Sequence, residues 1–214
     1  MQPRIVICTG GQLGAFALEY INTADLLIGA DSGARFLISQ GFRPDISIGD
    51  FDSVSEDELA VIRTNSSQTI ACDPIDKNYT DTEMAVRLAL DMQPRELILL
   101  GALGTRFDHS LANVHLLALA AELQVPATII DEHNKISLLT DQAAIAIEQQ
   151  GYPNVSLLPL SLEVKGITLT GFQYPLTDAR LSIGQSLGIS NVLLSPVGRI
   201  EIKEGLLLVI QSRD

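Results

Sequence analysis

Six short runs of mainly β-branched and aliphatic residues, at 4–8, 25–30, 45–48, 68–72, 96–100 and 127–130, are spaced along the first part of the chain with stretches between them long enough for helices. Strands that are apolar almost throughout, rather than at alternate positions, suit a parallel sheet covered on both faces, and parallel strands need crossover connections that are usually helical. The spacing therefore predicts successive βαβ units. Helix start signals stand in two of the gaps: Ser55 with Glu58 three residues later, and Thr80 with Glu83 three residues later. Both are capping-box patterns, in which the first side chain takes the N–H of the third helical residue. The longest helix candidate, 109–123, carries Leu111, Val114, Leu117, Leu119 and Leu123 on a broad apolar side.

From about Lys135 the texture changes. Short apolar runs recur at 136–139, 143–147, 155–158, 162–170, 192–195, 199–203 and 206–211, separated by Gly, Pro or Asn, and no helical stretch is evident. Closely spaced strands with turn residues between them predict an antiparallel sandwich or barrel. The expected fold is an α/β N-terminal domain with a mainly parallel sheet, followed by an all-β C-terminal sandwich. The boundary is expected near 132–134, dividing the chain into 1–131 and 132–214. With 46% hydrophobic residues and a mean hydropathy of +0.25, the 214 residues suffice to bury a core.

The formal charge of −12 would repel a phosphate backbone, so nucleic acid is not expected as a partner. It does not exclude nucleotides, because divalent cations bridge carboxylates to phosphates. Cys8 and Cys72 both sit in apolar runs and read as small core residues rather than a disulfide. No charged-then-apolar leader and no apolar stretch of membrane-spanning length is present, so a cytoplasmic protein without membrane association is expected.

In a parallel α/β sheet ligands bind beyond the carboxyl ends of the strands, which directs attention to the residues that follow each run. These are Thr9-Gly10-Gly11, Ala30-Asp31-Ser32-Gly33, Gly49-Asp50-Phe51-Asp52-Ser53, and the segment 101–109. Asp50 and Asp52 are two apart, so in extended backbone both carboxylates point to one side. That offers hard oxygen to magnesium, with Asp31 or Asp81 as a further acid. The competing reading is a solvated turn in which Asp52 caps the next helix. Lys77 precedes a helix N-terminus, where free N–H groups favour anions; Thr80 reads as the N-cap, and Asp81 either binds metal or stabilises the first turn. The glycines of 101–104 permit close backbone approach, and the planar fork of Arg106 suits phosphate oxygens or neutralises nearby acids. Asp108 also reads as a cap, His109 as an exposed first-turn residue, and His115 and His133 as structural. The Walker pattern is absent, and Thr9-Gly10-Gly11 is not continued into a dinucleotide fingerprint.

Six segments in order, GADSGA (29–34), PDISIGDFDS (44–53), DKNYTDTEMA (76–85), GALGTRFDHSLAN (101–113), GFQYPL (171–176) and GISN (188–191), make the sequence resemble thiamine pyrophosphokinases along nearly its whole length. The resemblance implies transfer of pyrophosphate from ATP to thiamine, with Mg2+ as cofactor, in a homodimer whose active sites lie between subunits. It implies that the first domain binds the nucleotide and the second binds thiamine. By the same token Asp31, Ser32, Lys77, Thr80, Gly104, Arg106, Asp108 and His109 would contact ATP. Asp50, Asp52 and Asp81 would hold the metal and, with Arg106, carry the catalysis, while Ser190, Asn191 and Tyr174 would contact thiamine. The chain departs from the family pattern in two places: Asp76-Lys77-Asn78 stands where Glu-Lys-Asp is commoner, and Val192 follows Ser-Asn where Glu is commoner. The first removes a negative charge beside the expected metal. Two rivals remain: a metal-dependent phosphohydrolase, separated by its products, and a non-catalytic thiamine- or nucleotide-sensing module, separated by binding without AMP formation.

Overall fold

The computed structural model describes residues 2–51, 54–71, 78–141, 143–149 and 151–214. The chain divides into two compact units, Met1–Glu132 and His133–Asp214. In the first, strand β1 (Arg4–Cys8) is buried from Ile5 to Cys8 and is flanked in parallel by β2 (Leu26–Ala30) and β5 (Glu96–Leu100). Beyond β2 lie β3 (Ile46–Gly49) and β4 (Gln68–Ala71), and beyond β5 lies β6 (Ala127–Ile130), every pairing parallel. The order is thus β6-β5-β1-β2-β3-β4. The chain builds outward from β1 to β4, then returns to the other side of β1 for β5. That reversal opens a crevice between the carboxyl ends of β1 and β5, the place where open α/β sheets take ligands.

A 3-10 segment (Ala15–Tyr20) links β1 to β2, and α1 (Ser32–Ser39), α2 (Glu56–Asn65), α3 (Asp81–Asp91) and α4 (Phe107–Glu122) follow the next strands. The start signal of α2 forms in full: Ser55 Oγ accepts from the Glu58 N–H, and the Glu58 carboxylate accepts from the Ser55 N–H at 2.9 Å. For α3 only the first half forms; Thr80 Oγ1 accepts from the Glu83 N–H at 3.1 Å, while Glu83 Oε1 accepts from Arg87 at 2.9 Å. Helix α1 is held by close packing rather than by a cap. A Cβ on Gly29 would lie 2.4 Å from Ala34 Cα, and one on Gly33 would lie 2.0 Å from the Cys8 carbonyl oxygen. The two glycines of GADSGA therefore lower α1 onto β1 and β2, where Leu37 joins Val6, Cys8, Ile98, Leu100 and Ile130 in one buried cluster.

The second unit is antiparallel throughout. One sheet has the order β12-β9-β14-β7, from β7 (Asn134–Leu139), β9 (Asn154–Pro159), β12 (Asn191–Val192) and β14 (Leu207–Ser212). The other has the order β11-β10-β13-β8, from β8 (Ile145–Glu148), β10 (Glu163–Thr170), β11 (Leu176–Ser182) and β13 (Val197–Glu201). Leu139, Val155, Leu157 and Val209 of the first and Val164, Ile167, Leu181 and Ile200 of the second share one core, giving a sandwich.

Several local details differ from what the sequence leads one to expect. Helix α4 begins at Phe107, two residues before the periodic run, with Arg106 at the N-cap position, so Asp108 lies in the first turn rather than capping it; α1 has no side-chain cap. Of the expected strand at 192–195 only Val192 belongs to a ladder, in β12 with Asn191, while Leu193 makes an isolated antiparallel bridge to Phe172; β11 is an edge strand without an apolar run, because LTDARLS is polar and mostly accessible.

Candidate active site

A cleft of about 820 Å³ lies at the carboxyl edge of the parallel sheet, lined by the loops after β1, β2, β3 and β5 and by the N-terminal turns of α3 and α4. Its floor is two loops zipped together at the switch point. Thr9 donates from its N–H to Leu100 O at 2.9 Å and from Oγ1 to Gly101 O at 2.5 Å. The Gly11 N–H donates to Gly101 O at 2.8 Å, and the Gln12 N–H to Leu103 O at 3.0 Å. Glycine at position 11 is a steric requirement, since a Cβ there would stand 2.1 Å from Gly101 O and 2.5 Å from Leu103 O. Helix α4 braces the same loop: Asn113 Nδ2 donates to Ala102 O at 2.7 Å, and Ser110 Oγ accepts from the Gly104 N–H at 3.1 Å. Sequence reading singled out the glycines of this loop but not Ser110 and Asn113, whose spacing from 102–104 along α4 was the available signal.

Around this floor stand the acids. Asp31, at the end of β2, and Phe51, just after β3, both have positive φ, 50° and 55°, which costs energy for residues with a Cβ. Asp31 is the N-cap of α1 by position, yet its side chain makes no cap hydrogen bond. Asp31, Asp50 and Asp81 line the cleft, with Asp81 Oδ1 placed 3.4 Å from where a Cβ on Gly49 would be. Thr80, Gly104, Arg106 and His109 line it as well. Ser32 begins α1 beside the cleft, its Oγ 3.1 Å from where a Cβ on Gly10 would be. Asp52 and Lys77, and with them the second carboxylate of the paired-acid motif, lie outside the described residues.

Arg106 meets Asp108 in a bidentate pair, Nη2 to Oδ2 at 2.6 Å and Nε to Oδ1 at 3.3 Å. The Arg106 hydrogen bond holds the Asp108 carboxyl below the usual carboxylate range, and the same bond raises the Arg106 guanidinium. Both side chains are about two-thirds exposed, at 69% and 65%, so the pair adds little to stability and its consequence is to orient the guanidinium at the cleft.

The donor set suits magnesium, being carboxylate oxygen at a sheet edge beside helix N-termini that favour phosphate. Among the described residues no three His, Cys, Asp or Glu side chains stand close enough together to hold a metal by themselves.

The residues expected to meet thiamine lie in the second unit. Asn191 is buried, and its amide is engaged with neighbouring backbone: Oδ1 accepts from the Tyr174 N–H at 3.0 Å and the Val192 N–H at 2.9 Å, and Nδ2 donates to Tyr174 O at 2.8 Å. Ser190 has φ 57° and its N–H donates to Ser156 Oγ at 3.0 Å. The Tyr174 ring is exposed.

Comparison with known proteins covers both units. Residues 17–129 match the family model described as the thiamin pyrophosphokinase catalytic domain, and 142–207 the one described as its vitamin B1 binding domain. The chain is 31% identical over 195 residues to a thiamine pyrophosphokinase of Bacillus subtilis, with 91% of each chain covered. A crystal structure of a thiamin pyrophosphokinase from Geobacillus thermodenitrificans superposes with a TM-score of 0.88 at 33% identity, covering 99% of this chain and 98% of that one. The yeast structure, at 16% identity and a TM-score of 0.80, shares the fold.

Proposed function

The chain belongs to the thiamin pyrophosphokinase family, and from that premise we infer that it transfers the pyrophosphate of ATP to the hydroxyl of thiamine, giving thiamine pyrophosphate and AMP. The observation that carries this at the level of chemistry is the cleft at the β1/β5 switch point, where a glycine floor, acids and two helix N-termini face one space. The thiamine hydroxyl oxygen attacks the β-phosphorus in line and gives its proton to a carboxylate of the acidic loops, the bond from that phosphorus to the α-phosphate oxygen breaks, and AMP leaves with the electron pair. Positioning and charge stabilisation supply most of such a rate enhancement.

In this reading Asp50, Asp52 and Asp81 hold Mg2+, with Asp31 beside them. A bound magnesium ion neutralises charge on the phosphates. Arg106, oriented by Asp108, takes phosphate oxygens, with Lys77, Thr80, Gly104, Ser32 and His109 as further contacts. Tyr174 and Ser190 meet thiamine, and Asn191 holds the chain at Tyr174. A homodimer also belongs to the proposal; it is supported by exposed Leu162, Ile183, Leu187 and Leu194 in the second unit, and light scattering should give twice 23.1 kDa. Work in the cytoplasm is likewise proposed, and among the described residues no helix is long and apolar enough to cross a membrane.

The deciding experiment incubates the protein with ATP, thiamine and Mg2+. Equal amounts of AMP and thiamine pyrophosphate are expected. Release of phosphate without thiamine would replace this reading with the phosphohydrolase, and binding of both substrates without AMP with the sensing module.

A further inference from the structure

We propose that Tyr79 is the platform on which the adenine base of ATP stacks, an assignment that rests on the reading of the cleft as the nucleotide site. Tyr79 is the only tyrosine or phenylalanine among the described residues lining the cleft, and half of it remains accessible. The ring is braced from within the protein. The Arg87 guanidinium carbon sits 4.7 Å from its centroid, and Arg87 is itself fixed by Glu83 one turn earlier on α3, Nε to Oε1 at 2.9 Å and Nη2 to the same oxygen at 2.8 Å. An accessible aromatic ring whose one face is held by a cation is preorganised for a planar ligand on the other, because its rotamer is set before the ligand arrives.

Two features favour a nucleotide base over the other groups of the two substrates. Apart from Leu103, Met84 and two alanines the described lining is glycine and polar or charged side chains, His109 among them, which suits phosphates and metal and leaves Tyr79 as the ring-sized apolar surface. Tyr79 also directly precedes Thr80, the N-cap of α3, so the turn that offers N–H groups to phosphate also presents the ring. The charge of Arg87 behind the ring weakens the negative potential of the open face, which disfavours the permanently cationic thiazolium of thiamine and leaves a neutral purine well matched. Stacking of this kind tolerates any base, so ATP would be preferred over other purine nucleotides only modestly.

The test separates ligands that carry a base from one that does not. Calorimetry in Mg2+ compares AMP and inorganic pyrophosphate on the wild type, Tyr79→Ala and Tyr79→Phe, and steady-state assays give KM for ATP and for thiamine. Tyr79→Ala should weaken AMP binding and raise KM for ATP by about 5- to 150-fold, leaving pyrophosphate binding and KM for thiamine within about twofold. Tyr79→Phe should recover the AMP affinity. The proposal is overturned if AMP affinity is unchanged in Tyr79→Ala, if pyrophosphate weakens equally, if KM for thiamine rises instead, or if the wild type binds no AMP. Absence of thiamine-dependent turnover in the wild type would defeat the functional reading separately, because the two binding titrations need no turnover.

Discussion

Asn191 offers the sharpest test of how the second unit works, because its side chain serves either thiamine or the backbone and the two roles leave different traces. Its amide makes three hydrogen bonds, two to the Tyr174 backbone and one to the Val192 N–H, at a residue only 7% exposed. At about 0.5–1.5 kcal/mol each, Asn191→Ala should remove about 1.5–4.5 kcal/mol, with the higher values applying if the orphaned backbone groups find no water. For a chain of this size that lowers Tm by roughly 3–18 °C. Asn191→Asp keeps the accepting oxygen but sets a carboxylate against the Tyr174 carbonyl, so it should lose stability too despite its similar shape. The assays are thermal unfolding followed by circular dichroism and KM for thiamine at saturating ATP. Both variants should melt earlier and show a raised KM for thiamine, since Tyr174 loses its anchor. A melting temperature within a degree of wild type in Asn191→Ala would refute the backbone-clamp argument; a rise in KM alone would then make Asn191 a direct thiamine contact.

Gly11→Ala should open the zipped floor of the cleft, because the added methyl would meet two carbonyl oxygens, and a displacement of about 1 Å can cost roughly a hundredfold in turnover; wild-type turnover would show that the two loops do not set the site. Asp50→Asn should lower kcat by about a hundredfold or more with an unchanged circular dichroism spectrum, and a normal Mg2+ requirement would remove Asp50 from the metal site. Burial pushes the Cys8 thiol up to about 12 from 9.0. A folded pKa above the unfolded one means that the stability it carries is complete below 9 and is lost as pH rises from 9.0 towards about 12, where the unfolded chain gives up its proton first. Urea midpoints should therefore fall across that window less steeply in Cys8→Ala than in wild type, and equal slopes in both would refute the assignment.

The first unit was the more legible half, for a physical reason. A parallel strand is buried on both faces, so it appears as an uninterrupted apolar run, and the six runs coincide with β1–β6 to within a residue at each end within the described residues. Helix starts were legible where a side chain makes the cap, as at Ser55, and illegible at α1, where Asp31 makes no cap bond and contact between glycine and backbone holds the helix. In the second unit β11 pairs as an edge strand through its backbone while most of its side chains remain accessible, so hydropathy carried no signal of it.

For the candidate site, the motifs join two kinds of residue that only coordinates separate. In GADSGA, Gly29 and Gly33 serve packing, whereas Asp31 between them is turned to the cleft by a strained backbone. The sequence assigned Asp31 and Ser32 to the ligand and gave Gly29 and Gly33 no separate role, because a short motif shows that several residues matter without showing that they matter for different reasons. The same separation applies to Ser190-Asn191, read as a pair of side chains for thiamine. Asn191 turns inward to the Tyr174 backbone, and Ser190 takes the left-handed turn beside it. Residues that face a ligand tolerate conservative exchange in proportion to the binding energy each supplies, while those that set the backbone beneath it fail abruptly, because every side chain on that backbone moves together. Gly29, Gly33, Gly11 and Asn191 belong to the second kind. Substitutions there should therefore lower stability and activity together, whereas those at Asp31, Asp50 and Tyr79 should lower activity in a protein that melts as before.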